Sequence, residues 1–291
     1  MDWDASAVPR EACAFTLLMS VYAGDDEAFV RSAYESATRD QVLPPTHVVI
    51  VQDGPVDDGV GRWLDQVSAD PQVTVVRQEE NSGLATALNV GLAHVGTDIV
   101  ARADADDICL PERFALQIPL ISSGLDLVGS AIAEFTDDPE RPEVVRPVKT
   151  TQAEIERQAR LESPFHHPTV VFRKRAVDRA GGYPELKQME DYLLWATMLM
   201  DGAKVANLPQ VLVHYRVGAG AFKRRGGPVL ASSEAQLQKR FRAMGFTTRW
   251  QYVRNRIVRG PLYRHLPAPL RRFFYHVRER RKLTDVGTGH G

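Results

Sequence analysis

Residues 81–114 read NSGLATALNVGLAHVGTDIVARADADDICLPERF, and this stretch decides the fold. Ser82–His94 predicts a helix with Leu84, Ala87, Leu88 and Leu92 on one face. Asp98–Val100 predicts a short strand that runs into Arg102-Ala-Asp-Ala-Asp-Asp107. A helix feeding back into an apolar strand is the second half of a βαβ unit. The three carboxylates of Asp104, Asp106 and Asp107, directly after that strand, repel one another unless a cation intervenes. Ligands bind at the strand ends of open parallel sheets, and oxygen donors suit Mg²⁺ or Mn²⁺ beside substrate phosphates. On its own, the same run also reads as a solvated acidic turn before the helix that begins near Pro111.

Upstream the rhythm repeats. Ala14–Val21 predicts a buried strand, Asp25–Asp40 a helix, His47–Val51 a strand, Val56–Ser68 a helix and Val73–Val76 a third strand. Near-continuous apolar strands alternating with helices predict a mostly parallel sheet covered on both faces. Downstream the regularity declines. A helix at 111–122 leads to a strand at Leu125–Gly129, then to a Pro- and charge-rich stretch at 137–149. His167–Arg173 predicts a strand, Met189–Met200 a helix and Val211–Tyr215 a last strand.

The 291 residues are 44% apolar and 25% charged, a globular composition that excludes a fibre or wholesale disorder. Their 36 Lys and Arg nearly balance 37 Asp and Glu, which removes nucleic acid as an obvious partner. The average conceals a division, because residues 219–291 hold 17 basic and 3 acidic side chains. That gives the last segment a net charge of +14 and leaves −15 on residues 1–218. We expect one α/β domain at 1–218 and a basic helical extension at 219–291. Cys13 and Cys109 lie far apart, which fits a reducing compartment. The acidic N-terminus lacks the features of a secretion signal, and the longest apolar runs, such as residues 193–200, are too short to span a bilayer. A soluble or peripheral protein is expected.

Residues 81–114 resemble the N-x-G-x-x-x-A-x-N-x-G … DxDD … P-x-R signature of family 2 glycosyltransferases. Asn81, Gly83, Ala87, Asn89, Gly91, Asp104, Asp106, Asp107, Pro111 and Arg113 stand in place. The block from Leu17 to Asp58, Gly181-Gly182-Tyr183 and Glu190-Asp191 follow that family's pattern in the same order. Within the family the chain looks most like bacterial exopolysaccharide transferases of the amylovoran type. The resemblance covers residues 14–218 and implies a GT-A fold, with a nucleotide-binding half (14–110) and an acceptor-binding half (111–218). It implies a UDP-sugar donor, a Mn²⁺ or Mg²⁺ ion, and a glycan acceptor, commonly lipid-linked and facing the cytoplasm.

The resemblance assigns roles residue by residue. Asp53 would accept from uracil N3–H; a turn-forming Asp before Gly54 is the alternative. Ser20 and Tyr22 would flank the base and ribose, although Tyr22 reads equally as a rim aromatic. Asn81 and Gly83 would open helix 3 beside the nucleotide, with Asn81 alternatively a plain N-cap. Asp104 would contact ribose or the metal's water, Asp106 would ligate the metal, and Asp107 would support that site or cap a helix. Arg102 either pairs with these carboxylates or reaches the donor. Asp191 would deprotonate the acceptor hydroxyl with Glu190 orienting it; acids in a first helical turn also simply favour the helix dipole. His166 and His167 would face the acceptor or the diphosphate, or serve structure, and Gly182-Tyr183 would turn beneath the acceptor sugar. Direct displacement at the anomeric carbon would invert it.

One departure stands out. Many GT-A enzymes carry a metal-binding His shortly after a Tyr-Arg near the end of the fold, whereas Tyr215-Arg216-Val217 here precedes Gly218. His214 lies just upstream, where strand alternation points it elsewhere. In the extension, Phe222–Gly227 is a basic loop that would close over the diphosphate or act as a linker. Leu270, Phe273, Phe274 and Val277 fall at helical spacing within 269–282, and Trp250, Tyr252, Val253, Ile257 and Val258 are interleaved with arginines. Basic amphipathic helices of this kind bind anionic membranes, here the inner face of the plasma membrane. Docking on the acidic domain or on RNA is the alternative. A nucleotidyltransferase would need a Gly-rich, Arg-containing loop where SVYAGDDEAF stands, and a non-catalytic sugar-nucleotide binder would not need the DADD and Glu-Asp pairs.

Overall fold

The computed structural model describes residues 14–218, 228–259 and the two-residue strand 281–282. Its parallel half comprises β1 (Phe15–Tyr22), α1 (Glu27–Ser36), β2 (His47–Asp53), α2 (Asp58–Val67), β3 (Val73–Arg77), α3 (Leu84–Ala93) and β4 (Ile99–Arg102). β1 pairs in parallel with both β2 and β4, and β2 pairs in parallel with β3. Alternation along β1 sends Phe15, Leu17, Met19 and Val21 to one face, against Val30 and Ala33 of α1 and Trp63 and Leu64 of α2. Leu18 faces the other way, against Ala87, Leu88 and Leu92 of α3. Gly91 permits this second contact, because a Cβ there would stand 2.4 Å from Leu18 and 2.9 Å from Val51.

After β4 the chain builds β5 (Ile108–Cys109), α4 (Arg113–Ser122), β6 (Leu127–Phe135), β7 (Val144–Arg146), α5 (Gln152–Ala159), β8 (Val171–Arg173), α6 (Lys174–Arg179), α7 (Glu190–Met200) and β9 (Val205–Arg216). β8 joins β4 and β6 antiparallel, β7 is antiparallel to β6, and β9 is parallel to β6. With β10 (Arg281–Lys282), the main sheet path runs β10-β7-β6-β8-β4-β1-β2-β3, with β9 joined to β6 and β5 to β9. The half at 14–110 is thus parallel as expected, and the half at 111–218 is mixed.

Four local expectations need correction. The strand expected from His167 begins only at Val171, because Pro168 has no N–H for a ladder and sits in a 3₁₀ turn, His167–Thr169. β6 extends to Phe135 rather than stopping at Gly129. Its polar residues find partners inside: the Ser130 N–H donates to Thr169 Oγ1 (3.0 Å) and Glu134 pairs with Arg146. β9 begins at Val205 and bridges Pro209 and Gln210 by a register shift opposite Ser130–Ala131. Finally, the helix expected over 269–282 does not include its last two residues. Arg281 and Lys282 form β10, which pairs antiparallel with Val145 and Val144 and covers the edge of β7. The rest of that helix, the loop Phe222–Gly227 and Cys13 lie outside the described residues.

Within the basic segment, α8 (Pro228–Ala243) and α9 (Arg249–Arg259) pack against residues of 14–218. Leu237, Phe241 and Phe246 form a cluster with Leu186, Tyr192, Leu193 and Ala196 around α7. The ring of Tyr192 stands edge-on to Phe241 at 5.0 Å, and its hydroxyl donates to the Ala159 carbonyl (2.8 Å). Among the described residues, no helix is long and apolar enough to cross a membrane.

Candidate active site

Because β1, β2 and β4 are parallel, their C-terminal residues Tyr22, Asp53 and Arg102 end at one edge of the sheet. Asp53 is buried, and its carboxylate accepts from Ser82 N–H (2.7 Å), Ser82 Oγ–H (3.1 Å) and Gly83 N–H (3.0 Å). It therefore caps the start of α3 from another strand, satisfying amide donors that the helix leaves open. Asn81 is not the cap; its side-chain amide donates to the Asp53 carbonyl at 3.2 Å. Gly83 is the N-cap residue, with φ at +89°. Ser20 is half-buried on β1, and Tyr22 is 43% exposed at the rim.

The DADD loop follows β4 directly. Arg102 is buried and ion-pairs with Asp104, while its Nε and Nη1 have no hydrogen-bond partner. Burial opposes the guanidinium charge, but Asp104 beside it more than compensates and raises its pKa. Asp106 is half-exposed. Asp107 is buried and accepts from the Arg216 N–H at 2.8 Å. Burial, then the charges of Asp104 and Asp106, push the Asp107 carboxyl well above the usual carboxylate range. Asp107 caps no helix here, since the strand β5 follows it.

Two arginines hold this loop from outside. Arg113 is fully buried and donates to the Arg102 carbonyl (2.6 Å), to Cys109 Sγ (2.9 Å) and to Gln117 (3.2 Å), which explains the P-x-R element structurally. Arg216 donates from Nε to the Asp106 carbonyl at 3.0 Å. Its guanidinium lies over Phe29 (3.8 Å) and Phe135 (4.5 Å). His214, whose pKa is lowered by burial, has a hydrogen bond with the Pro139 backbone and pairs across the sheet with Ile108.

The residues expected on the acceptor side converge near Arg102. Gly182, with φ at +75°, turns the chain so closely past Asn89 that a Cβ would stand 2.7 Å from Asn89 Oδ1. Tyr183 is buried, and its hydroxyl lies 3.1 Å from His167 Nε2. Burial first, then the Arg102 charge, lower the His167 pKa well below its ordinary value, so the ring is neutral. His166 is half-buried beside it, and its carbonyl accepts from Thr169 N–H (3.0 Å) and Oγ1–H (2.9 Å).

Glu190 and Asp191 open α7 with no side-chain cap, their side chains buried and half-buried respectively. Burial raises the Glu190 pKa. Burial, then the Glu190 charge, push the Asp191 carboxyl up to about 7, against the pull of Arg102 and the Tyr192 N–H. Arg102 is thus felt by Asp104 and Asp107 on one side and by Glu190, Asp191, Tyr183 and His167 on the other.

Sequence reasoning assigned no site role to Asn89 or Arg216. Asn89 was visible as a motif position on α3, and Arg216 as the Arg of the Tyr-Arg pair.

A parallel half, carboxylates at its strand ends and a mixed second half are the architecture of a GT-A glycosyltransferase. Comparison with known proteins carries this further: residues 16–182 match the model of Glycosyl transferase family 2, and the chain belongs to that family. It is 35% identical over 274 residues to the amylovoran biosynthesis glycosyltransferase AmsE of Erwinia amylovora, covering 90% of this chain and 97% of that one. It is 32% identical over 271 residues to an Escherichia coli UDP-Gal:alpha-D-GlcNAc-diphosphoundecaprenol beta-1,3-galactosyltransferase, covering 92% and 98%. The fold is similar to that of S. aureus TarS 1–349 in complex with UDP-GlcNAc, with a TM-score of 0.61, 17% identity and coverage of 78% of this chain and 66% of that one. The chain spans 64% of the length of S. aureus TarS 1–349 in its crystal structure.

Proposed function

We propose that this glycosyltransferase is an inverting, metal-dependent enzyme of cell-surface or exopolysaccharide synthesis. It moves a sugar from a UDP-sugar to a hydroxyl of a lipid-linked glycan, at the cytoplasmic face of the membrane. One observation carries the reading: the Asp191 carboxyl, held near neutrality at the start of α7, shares the field of Arg102 with the DADD loop. The relatives support the donor and acceptor classes, since the Escherichia coli protein is named for UDP-Gal and a diphosphoundecaprenol acceptor.

Among the described residues, no three His, Cys, Asp or Glu side chains are grouped to hold a metal ion. The donors present still fit a hard cation, because Asp104 and Asp106 offer only oxygens and would leave coordination positions for a diphosphate and water. Asp106 and Asp104 would hold Mn²⁺ or Mg²⁺, which when bound stabilises negative charge on the departing UDP. Asp53 keeps one of its roughly four acceptor positions for uracil N3–H beyond the three used by α3. Ser20 and Tyr22 border the base, and Asn81 and Gly83 bring the backbone of α3 to the ribose side. His166, His167, Gly182 and Tyr183 border the acceptor. Asp191 takes the proton of the acceptor hydroxyl as that oxygen attacks the anomeric carbon opposite UDP. Burial, with the Glu190 charge beside it, holds the pKa of this base near neutrality.

UDP release should be measured with a panel of UDP-sugars, with Mn²⁺ or Mg²⁺ and with a GlcNAc-diphospholipid acceptor. Acceptor-dependent release that vanishes on chelation supports the reading. Release that is equal with and without divalent metal rejects its metal-dependent part.

A further inference from the structure

Helix α9 is attached to the catalytic half by one side only. Asn255 is buried and donates to the Arg160 carbonyl (2.9 Å) and to Gln238 (3.1 Å). Arg259 pairs with Glu234 at 2.9 Å, donates to the Leu161 carbonyl, and lies over the ring of Tyr192 at 5.8 Å, the residue after Asp191. The opposite side carries Arg249, Trp250, Val253, Arg256 and Ile257, all exposed. Trp250 is 76%, Val253 44% and Ile257 61% exposed, although three large apolar groups on one helix face are ordinarily covered.

The surrounding charge indicates what covers them. Residues 228–259 contain seven Lys and Arg and a single acid, Glu234, which is turned inward onto Arg259. Every outward charge on this helix pair is therefore positive. A two-fold contact between copies would set Arg249 and Arg256 of one against those of the other. RNA would leave the aliphatic Val253 and Ile257 without a role. We propose that this face of α9 docks the chain on an anionic membrane surface, with Trp250, Val253 and Ile257 at headgroup depth and Arg249 and Arg256 on lipid phosphates. The inference deepens the reading of a lipid-linked acceptor, since α9 is fastened beside the start of α7, but its observations are those of α9 alone.

The test is co-sedimentation of the full-length chain with vesicles of phosphatidylcholine alone or with about one third phosphatidylglycerol. Wild-type protein is expected on the anionic vesicles and not on the neutral ones. W250E/I257E is expected to bind the anionic vesicles about tenfold or more weakly, with an unchanged circular dichroism spectrum. R249Q/R256Q, which keeps the apolar stripe, is expected to lose a similar factor and part of the salt sensitivity. Wild-type binding by W250E/I257E, or no anionic preference in the parent, overturns the proposal. So does a dimer that W250E/I257E dissolves while vesicle binding stays intact, because a second copy would then be the occupant. UDP release with a water-soluble acceptor, measured on the same samples, separates the two claims. Intact transfer without vesicle binding rejects the docking face alone, and vesicle binding without transfer rejects the functional reading alone.

Discussion

Asn89 on α3 grips the backbone of Tyr183, 94 residues further along the chain, by two hydrogen bonds. Its amide donates to the Tyr183 carbonyl at 2.8 Å, and its Oδ1 accepts from the Tyr183 N–H at 2.8 Å. Helix α3 thereby fixes the Gly182-Tyr183 turn, which we propose borders the acceptor, and Gly182 leaves the space for it. Asn89→Ala would orphan a buried backbone N–H and carbonyl, for a loss of about 1–3 kcal/mol of stability. Thermal unfolding should show the loss, and kcat/KM for the acceptor should fall more than donor affinity.

Arg216 holds Asp106 through its carbonyl and Asp107 through the backbone N–H, between Phe29 and Phe135. Arg216→Met keeps the packing and the N–H but removes the side-chain donor. The Mn²⁺ concentration needed for half-maximal UDP release should rise about tenfold. Folding, followed by circular dichroism, should change little.

The pH dependence follows from Asp191. With its carboxyl held near 7, the deprotonated base accumulates as pH rises through neutrality. The log of kcat/KM should therefore climb between about pH 6 and pH 8 and then level. Glu190→Gln removes the neighbouring charge, so the limb should move to lower pH.

The same carboxyl predicts a stability change of opposite sense to the activity. Its folded value of about 7 lies above the ordinary 3.8, so ionisation costs stability as pH rises past 3.8. Asp191→Asn, which cannot ionise, should therefore melt a few degrees higher than the parent at pH 8, and the difference should shrink toward pH 4. A variant that melts lower at pH 8 would contradict the burial of this charge.

Much of the fold was legible in the sequence because β1 to β4 are apolar runs, α1 to α3 carry helical periodicity, and α1 and α2 have local acidic caps, Asp26 and Asp57. The half after residue 110 was less legible. β6 hides Ser130 and Glu134 in its interior, and their partners Thr169 and Arg146 are distant in sequence. The carboxylates of the site were visible as local runs, DADD and Glu-Asp. Their common neighbour Arg102 and the supports from Asn89 and Arg216 depend on contacts between separate elements, which spacing along the chain does not encode. The charge division proved partly structural, since α8 and α9 use Leu237, Phe241 and Arg259 to pack on α7.

The central claim is that Asp191 is the base of a glycosyl transfer. It is tested most directly by comparing wild type and Asp191→Asn for sugar transfer to a lipid-linked acceptor and for UDP affinity by calorimetry. Transfer should fall about 10²- to 10⁴-fold with UDP affinity unchanged. Turnover by Asp191→Asn at the wild-type rate would contradict the account.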